Sequence, residues 1–189
     1  MSNLKIEDAP FALQTIDSAP QAAKLALENL KRSVGAIPNL AGMMANSALM
    51  ITAFVTLRET IQNLTTFSEK EMEMLLLTNA HANNCKYCQA IHSTFALNKG
   101  ISQGTVDAVR SARELDDEKL NALSAFTRKT VVQRGQLSKE DFDSFYQAGY
   151  KPEQALEVIA ILASSVLANY TNHFTNAPID KFLEAQYRE

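Results

Sequence analysis

Apolar positions recur along the chain at intervals of three and four residues, the spacing of one face of a helix. No segment shows the sustained alternation of β-branched and polar residues that marks a strand. The pattern therefore predicts an all-α protein. Residues 1–19 form an extended arm with scattered apolar anchors at Leu4, Ile6, Phe11, Leu13 and Ile16. Pro20 suits a helix start, and Ala23, Leu27, Leu30 and Val34 follow near helical spacing. Residues 35–38, with Gly35 and Pro38, interrupt the pattern. Residues 39–63 are helical again, with a break near Asn46 and Ser47. Ser68 with Glu71 is a capping-box pair. Its helix should run to Asn83–Asn84, where asparagine tolerates the left-handed backbone of a helix end. A new helix opens at about Cys85 and stops at Gly100. Ser102 opens another, through about Leu115, and residues 117–134 form the next. Ser138 with Asp141 caps a further helix, and Pro152 stands before a long apolar helix from about Glu153 to Asn172 or beyond. Pro178 precedes a short C-terminal piece.

A weak internal repeat runs through this pattern. An offset of 84 residues lays Glu73-Met-Leu-Leu-Leu over Glu157-Val-Ile-Ala-Ile, Cys85 over Asn169, Cys88 over Asn172 and His92 over Asn176. Ser68-Glu69 falls on Pro152-Glu153, so both copies begin at a predicted helix start. The reading is two related helical units, with thiols in the first alone.

Length and composition narrow the function classes. The chain has 189 residues, 46% of them hydrophobic and 21% charged. That is one ordinary domain, over residues 20–189 behind the arm, large enough to bury a core without disulfide staples. The formal net charge of -3 and the lack of a basic tract argue against a nucleic-acid partner. The first twenty residues lack the basic start and apolar stretch of a signal peptide. The longest strongly apolar run, residues 158–168, is about half a bilayer span. The expectation is a cytoplasmic protein with no membrane partner. Its two cysteines, Cys85 and Cys88, stand three apart, which in such a compartment points to redox or metal chemistry.

On an ideal helix, at about 100° per residue, Cys88 and His92 fall within about 60° of Cys85, so two thiols and an imidazole share one face. Cys85 sits at the helix start, where free N–H groups and the dipole favour a thiolate. His92 can hydrogen-bond Cys88 or stabilise its charge. Tyr87 points to another side, as packing. Glu73 lies in a helix apolar on nearly every side. Burial there would raise its pKa and suit it to proton transfer, unless it occupies one narrow solvent-facing strip. A zinc site would need His92, a remote ligand such as His173 and carboxylates as well. Covalent haem attachment needs a histidine where Gln89 stands. A thioredoxin-like motif needs a preceding strand. An inert pair of core cysteines is the remaining alternative. Met43, Met44, Met50, Met72 and Met74 read as core filling, with an apolar pocket beside the thiols as the other option, and Phe95 as its wall. His81 and His173 read as structural.

Taken together, Glu73, eleven intervening residues, Cys85-Lys-Tyr-Cys88 and then three residues to His92 resemble the alkylhydroperoxidase D core of the carboxymuconolactone decarboxylase-like superfamily. The string Asn83-Asn-Cys-Lys-Tyr-Cys-Gln-Ala-Ile-His92 resembles its signature, and the likeness is specific over residues 68–100. The resemblance implies an all-α alkylhydroperoxidase D-like fold and self-association into dimers, trimers or hexamers. It also implies thiol-dependent reduction of a hydroperoxide without metal or cofactor, with a dithiol or protein reductant closing the cycle. It assigns peroxide attack to Cys88 and resolution to Cys85 and places Glu73 and His92 at its other functional positions, so that Glu73, directly or through water, would take the Cys88 proton and His92 would hold the thiolate; the dipole argument instead favours Cys85 as the more acidic thiol. Some relatives have histidine in a proton relay where this chain has Tyr87, a poorer shuttle near neutral pH. Asn84 stands where glycine is frequent. Two other activities are open on the same fold: protein disulfide exchange or redox sensing, and a lactone decarboxylase-like reaction that needs no thiols.

Overall fold

The structure is a computed structural model that describes residues 10–188. The arm anchors Leu4 and Ile6 lie outside the described residues. Among these, nine α-helices and a short 3-10 helix account for the regular structure, and there is no strand. The helices are α1 (Gln21–Val34), α2 (Asn39–Met44), α3 (Ala48–Leu64), α4 (Glu69–Ala82), α5 (Lys86–Asn98), α6 (Gln103–Arg110), α7 (Glu118–Val132), α8 (Lys139–Gln147) and α9 (Pro152–Thr175). The 3-10 helix is Lys181–Gln186.

The punctuation read from the sequence is where the chain turns. Gly35 ends α1 in the left-handed region (φ 86°). Ser47 separates α2 from α3 and accepts from the Met50 amide. Ser68 and Ser138 both form complete capping boxes, and Pro152 occupies the first position of α9. The helix opened by Ser102 is shorter than expected. It stops at Arg110 rather than near Leu115, because Ala112 turns left-handed (φ 53°) and the Arg113 amide closes back on the Ala108 carbonyl at 2.8 Å. This is a Schellman closure made without glycine.

Helix α4 is the centre of the packing. Its apolar residues serve three hydrophobic clusters at once: Ala80 joins the one built on α1, α2 and the start of α5, Leu75 joins the aromatic one, and Met74 and Leu77 join the one under α6. In the aromatic cluster Phe145 stacks between Phe126, at 4.1 Å, and Tyr150, at 4.5 Å. A fully buried leucine contributes roughly 1.5–3 kcal/mol, so a helix buried on every side is held firmly in place. Any polar side chain it carries is then fixed inside the domain, and Glu73 is such a side chain.

Residues 10–19 run along α2 of the same chain: the Gln14 amide donates to the Gly42 carbonyl at 3.3 Å, and a Cβ at Gly42 would meet the Gln14 carbonyl oxygen at 2.7 Å. The other end of the chain packs on the start of α5 and on α2. The Asn39 amide donates to the Asp180 carboxylate at 3.1 Å.

Candidate active site

The site begins where α4 ends. Asn84 takes the left-handed conformation (φ 53°), its amide donates to the His81 carbonyl at 2.9 Å, and the Cys85 amide donates to the Ala80 carbonyl at 2.9 Å. The same Schellman closure thus finishes one helix and delivers Cys85 as the cap of the next. Cys85 is extended rather than helical (φ -89°, ψ 98°), and its sulfur accepts from the Cys88 amide at 3.2 Å. The two Cα atoms are 5.3 Å apart, within the range a disulfide spans, and the sulfurs are joined as a disulfide. Both cysteines are buried, at 0% and 1% exposure.

Two adjoining cavities lie beside the thiols. The inner one, about 120 Å³, is lined by Cys88, Tyr87, Met44 and Ile91. The outer one, about 570 Å³, opens between α3, α4, α5 and α9. Phe54, Arg58, Glu73, Leu76, His92 and Phe95 line both. Phe95 is the pocket wall anticipated from the sequence. Met44 and Met72 also line the space, so two of the methionines contribute to the pocket, while Met43 and Met74 fill core. Cys85 is not a lining residue of either cavity. Cys88 is therefore the cysteine that borders the space a ligand would fill.

Glu73 is 6% exposed and not on a solvent-facing strip. Both of its oxygens are engaged: Oε2 lies 3.0 Å from His92 Nδ1, and Oε1 accepts from Lys99 Nζ at 3.1 Å. The expected rise in its pKa does not occur. Burial pushes the carboxyl up, but the hydrogen bond and charge of His92, then the charge and hydrogen bond of Lys99, more than offset it, and the pKa is lowered. Glu73 is an anchored carboxylate that orients His92. The hydrogen bond of His92 goes to Glu73 and not to Cys88, although both histidine and cysteine line the inner cavity.

Tyr87 does more than pack. It is 2% exposed, lines the inner cavity, donates its hydroxyl to Asp180 and accepts from the Leu40 amide at 3.4 Å. Burial and the Asp180 carboxylate push its pKa upward, so it stays a neutral donor. His81 stands apart from this group and accepts from Arg128 Nη1 at 3.0 Å; burial, then Arg128, Lys86 and Arg110, lower its pKa. His173 is exposed near the end of α9, stacked on Tyr170. Three participants escaped the reading of the sequence: Arg58, Lys99 and Asp180. The first two are ordinary surface residue types on amphipathic helices. Their one legible signal is helical spacing, since Lys99 lies seven residues beyond His92 on the same face.

Comparison with known proteins places this geometry. Residues 49–128, from α3 through most of α7, match the carboxymuconolactone decarboxylase family. No curated protein matches the sequence. Among solved structures, the debrominase Bmp8 in its apo form is similar with a TM-score of 0.76 at 24% identity, over 93% of this chain and 94% of that one. Its C82A variant, in complex with 2,3,4-tribromopyrrole, gives 0.77 at 22%, over 93% and 94%. An alkylhydroperoxidase AhpD core, peroxidase-related protein from Ralstonia eutropha JMP134 gives 0.79 at 17%, over 95% and 97%.

Proposed function

We propose that this chain, a carboxymuconolactone decarboxylase-family segment set in an alkylhydroperoxidase D-like fold, is a thiol-dependent hydroperoxide reductase. The observation that carries the reading is a buried CxxC pair whose second cysteine lines a cavity beside a fixed histidine–carboxylate pair. In the reduced protein, His92, held by Glu73, takes the proton of the Cys88 thiol. The thiolate attacks the distal oxygen of the hydroperoxide. A sulfur–oxygen bond forms, the oxygen–oxygen bond breaks, and the alkoxide leaves with a proton as alcohol. Cys88 is oxidised by two electrons to a sulfenic acid. The Cys85 sulfur displaces its hydroxyl, which leaves as water, and the disulfide forms. An external dithiol reduces it through a mixed disulfide and is itself oxidised.

Burial of both sulfurs favours a small dithiol, entering by the cavity, over a protein donor. It also weighs against protein disulfide exchange as the main role. The reaction belongs to the cytoplasm, where such a dithiol is kept reduced. Self-association is part of the proposal. On one face of α9, the exposed Leu156 and Tyr170, and the exposed Ile159 with the half-buried Leu167, lie symmetrically about Ala163, an arrangement that suits two antiparallel copies.

The likeness to a debrominase favours a second reading at the same thiols. Two thiols would reduce a carbon–bromine bond to carbon–hydrogen, releasing bromide and a proton and leaving the same disulfide. One experiment separates the readings. The fully reduced protein is mixed with cumene hydroperoxide or with a bromopyrrole, and free thiols and bromide are counted. Rapid loss of two thiols per chain with one peroxide consumed is the expected result. Bromide release without peroxide consumption supports the second reading. Thiols that survive both reagents sink the two together and leave a lactone decarboxylase-like reaction to be assayed.

A further inference from the structure

The cavity contains a cation that the proposed chemistry leaves unused. Arg58 projects from α3 and lines both chambers. Among the described residues it takes part in no ion pair: the Glu73 oxygens are held by His92 and Lys99, and Lys99 is shared with Glu69 at 3.9 Å. With the Gln62 amide turned to present its oxygen, both Nη atoms of Arg58 donate to it at 3.2 Å, a neutral partner one turn along the same helix. The cavities it lines have apolar walls from Val34, Phe54, Leu76 and Phe95 and a polar side at Glu73 and His92, whose groups are engaged with each other and with Lys99. A planar fork of donors on such a cavity matches a carboxylate, which can accept two parallel hydrogen bonds.

We infer that Arg58 is the substrate-binding residue for an ionised carboxylate, and that the enzyme acts on hydroperoxides whose apolar body carries an acid group. The substrate class rests on the peroxide reading; the anion site itself does not. The cavities fit such a molecule. The inner chamber holds a short alkyl or aryl peroxide end against Cys88, and the outer one is of the size usual for small-molecule sites. Arg58 borders both, so the acid group sits a short molecule's length from the reacting oxygen. Burial lowers the pKa of Arg58, against the opposing pull of Glu73, so an anion placed on it would recover stability lost to desolvation.

The test uses a pair of substrates differing in one charge: cumene hydroperoxide carrying a para-carboxylate, and its methyl ester, each assayed with dithiothreitol as donor. The acid should be preferred by about 10- to 100-fold in kcat/KM, chiefly through KM, the range of one charge-assisted contact. Arg58→Met should bring the acid-to-ester ratio close to one, and Arg58→Lys should keep part of the preference. In parallel, 4-isopropylbenzoate and 4-isopropylbenzamide are titrated calorimetrically into the disulfide form. Benzoate should bind about tenfold tighter or more, with the difference lost in Arg58→Met. Equal binding of the two probes to the native protein overturns the anchor whatever the peroxide assay gives. Equal loss on acid and ester in Arg58→Met also overturns it, since the arginine would then act on the reacting centre. Selective benzoate binding by a protein that consumes no peroxide supports the anchor and fails the peroxide reading alone.

Discussion

The segment from Ser68 to His92 and its counterpart in α9 begin alike and end differently. Both start a helix within one residue of the aligned position, and both place a glutamate one turn in, Glu73 and Glu157. They part at Asn84. There the first copy turns left-handed and starts a new helix at Cys85; the aligned residue in α9 is Ala168, and that helix runs on until Asn176, which ends it with φ 46°. Where the first copy has Cys85, the second has Asn169, fully buried, whose Oδ1 accepts from Asn79 at 3.2 Å and Asn83 at 3.1 Å. Helix α9 thus braces the end of α4, from which the chain continues into the CxxC. An apolar helix carrying a glutamate is therefore common to both segments and does not by itself make a thiol site. The break is what adds chemistry, because it supplies free amides, a cap position for one sulfur and a cavity for the other.

The largest effect should come from the thiols. Cys88→Ser should lower peroxide turnover by at least about 10³-fold, the scale of losing a nucleophile, while the aligned change Asn172→Ser in α9 should have no comparable effect. Steady-state peroxide consumption checks both. Substantial activity in Cys88→Ser would move the attack to Cys85, as the dipole argument favours.

Next is Glu73→Gln, which removes the charge and leaves one accepting oxygen where His92 and Lys99 each have their own. A fall of about 10²-fold in kcat/KM is expected, the lower range for a proton-transfer group. A pH experiment tests the same carboxylate separately. Its folded pKa is depressed, so its stabilisation is complete above the unfolded value, about 4.3, and is lost as pH falls through the lower folded value. Urea midpoints of the native protein should therefore drop on acidification below about pH 4.3 more steeply than those of Glu73→Gln. Parallel curves would mean that the carboxylate is not held as its two short contacts indicate.

Much of this was legible in the sequence, and what was not has a physical cause. Helix ends are set by local chemistry, so Ser68, Ser138, Gly35 and Pro152 announced them; Ala112 did not, because alanine has no preference for the left-handed turn it makes. Cys85, Cys88, His92 and Glu73 stand out by residue type and spacing, and three of them line one cavity. The sign of the Glu73 shift was not legible, because it depends on His92 and then on Lys99, which only the packing of α4 against α5 brings within 3.0 and 3.1 Å of the carboxylate. Arg58 and Asp180 likewise reach the site from distant parts of the chain, and no local pattern marks them.

A smaller effect belongs to the break itself. Asn84→Ala should cost about 1–2 kcal/mol, the penalty of a left-handed backbone for a side chain with a Cβ and no local hydrogen bond to offer, and lower Tm by roughly 2–8 °C. Asn84→Gly should be close to neutral. Thermal melts of the disulfide form read both. An alanine variant as stable as the glycine one would show that the turn is imposed wholly by the packing around it.

The smallest effect tests the partner glutamate. Glu157 accepts from the Thr65 hydroxyl at 2.8 Å, the Thr66 amide at 2.9 Å and the Thr66 hydroxyl at 2.9 Å, which ties the loop between α3 and α4 to α9. Glu157→Gln keeps one accepting oxygen and loses the charge and the other acceptor. In this partly exposed setting the cost should be about 0.5–1.5 kcal/mol, with peroxide turnover within about twofold of native, inside the scatter expected of a site that makes no contact with the reacting atoms. The loop it holds still borders the outer cavity through Thr65 and Phe67. If Glu157→Gln lowered kcat/KM as far as Glu73→Gln does, the two glutamates would be equal partners in shaping the site. The division between a chemical copy and a structural copy would then fail, and the loop's grip on the cavity mouth would take its place.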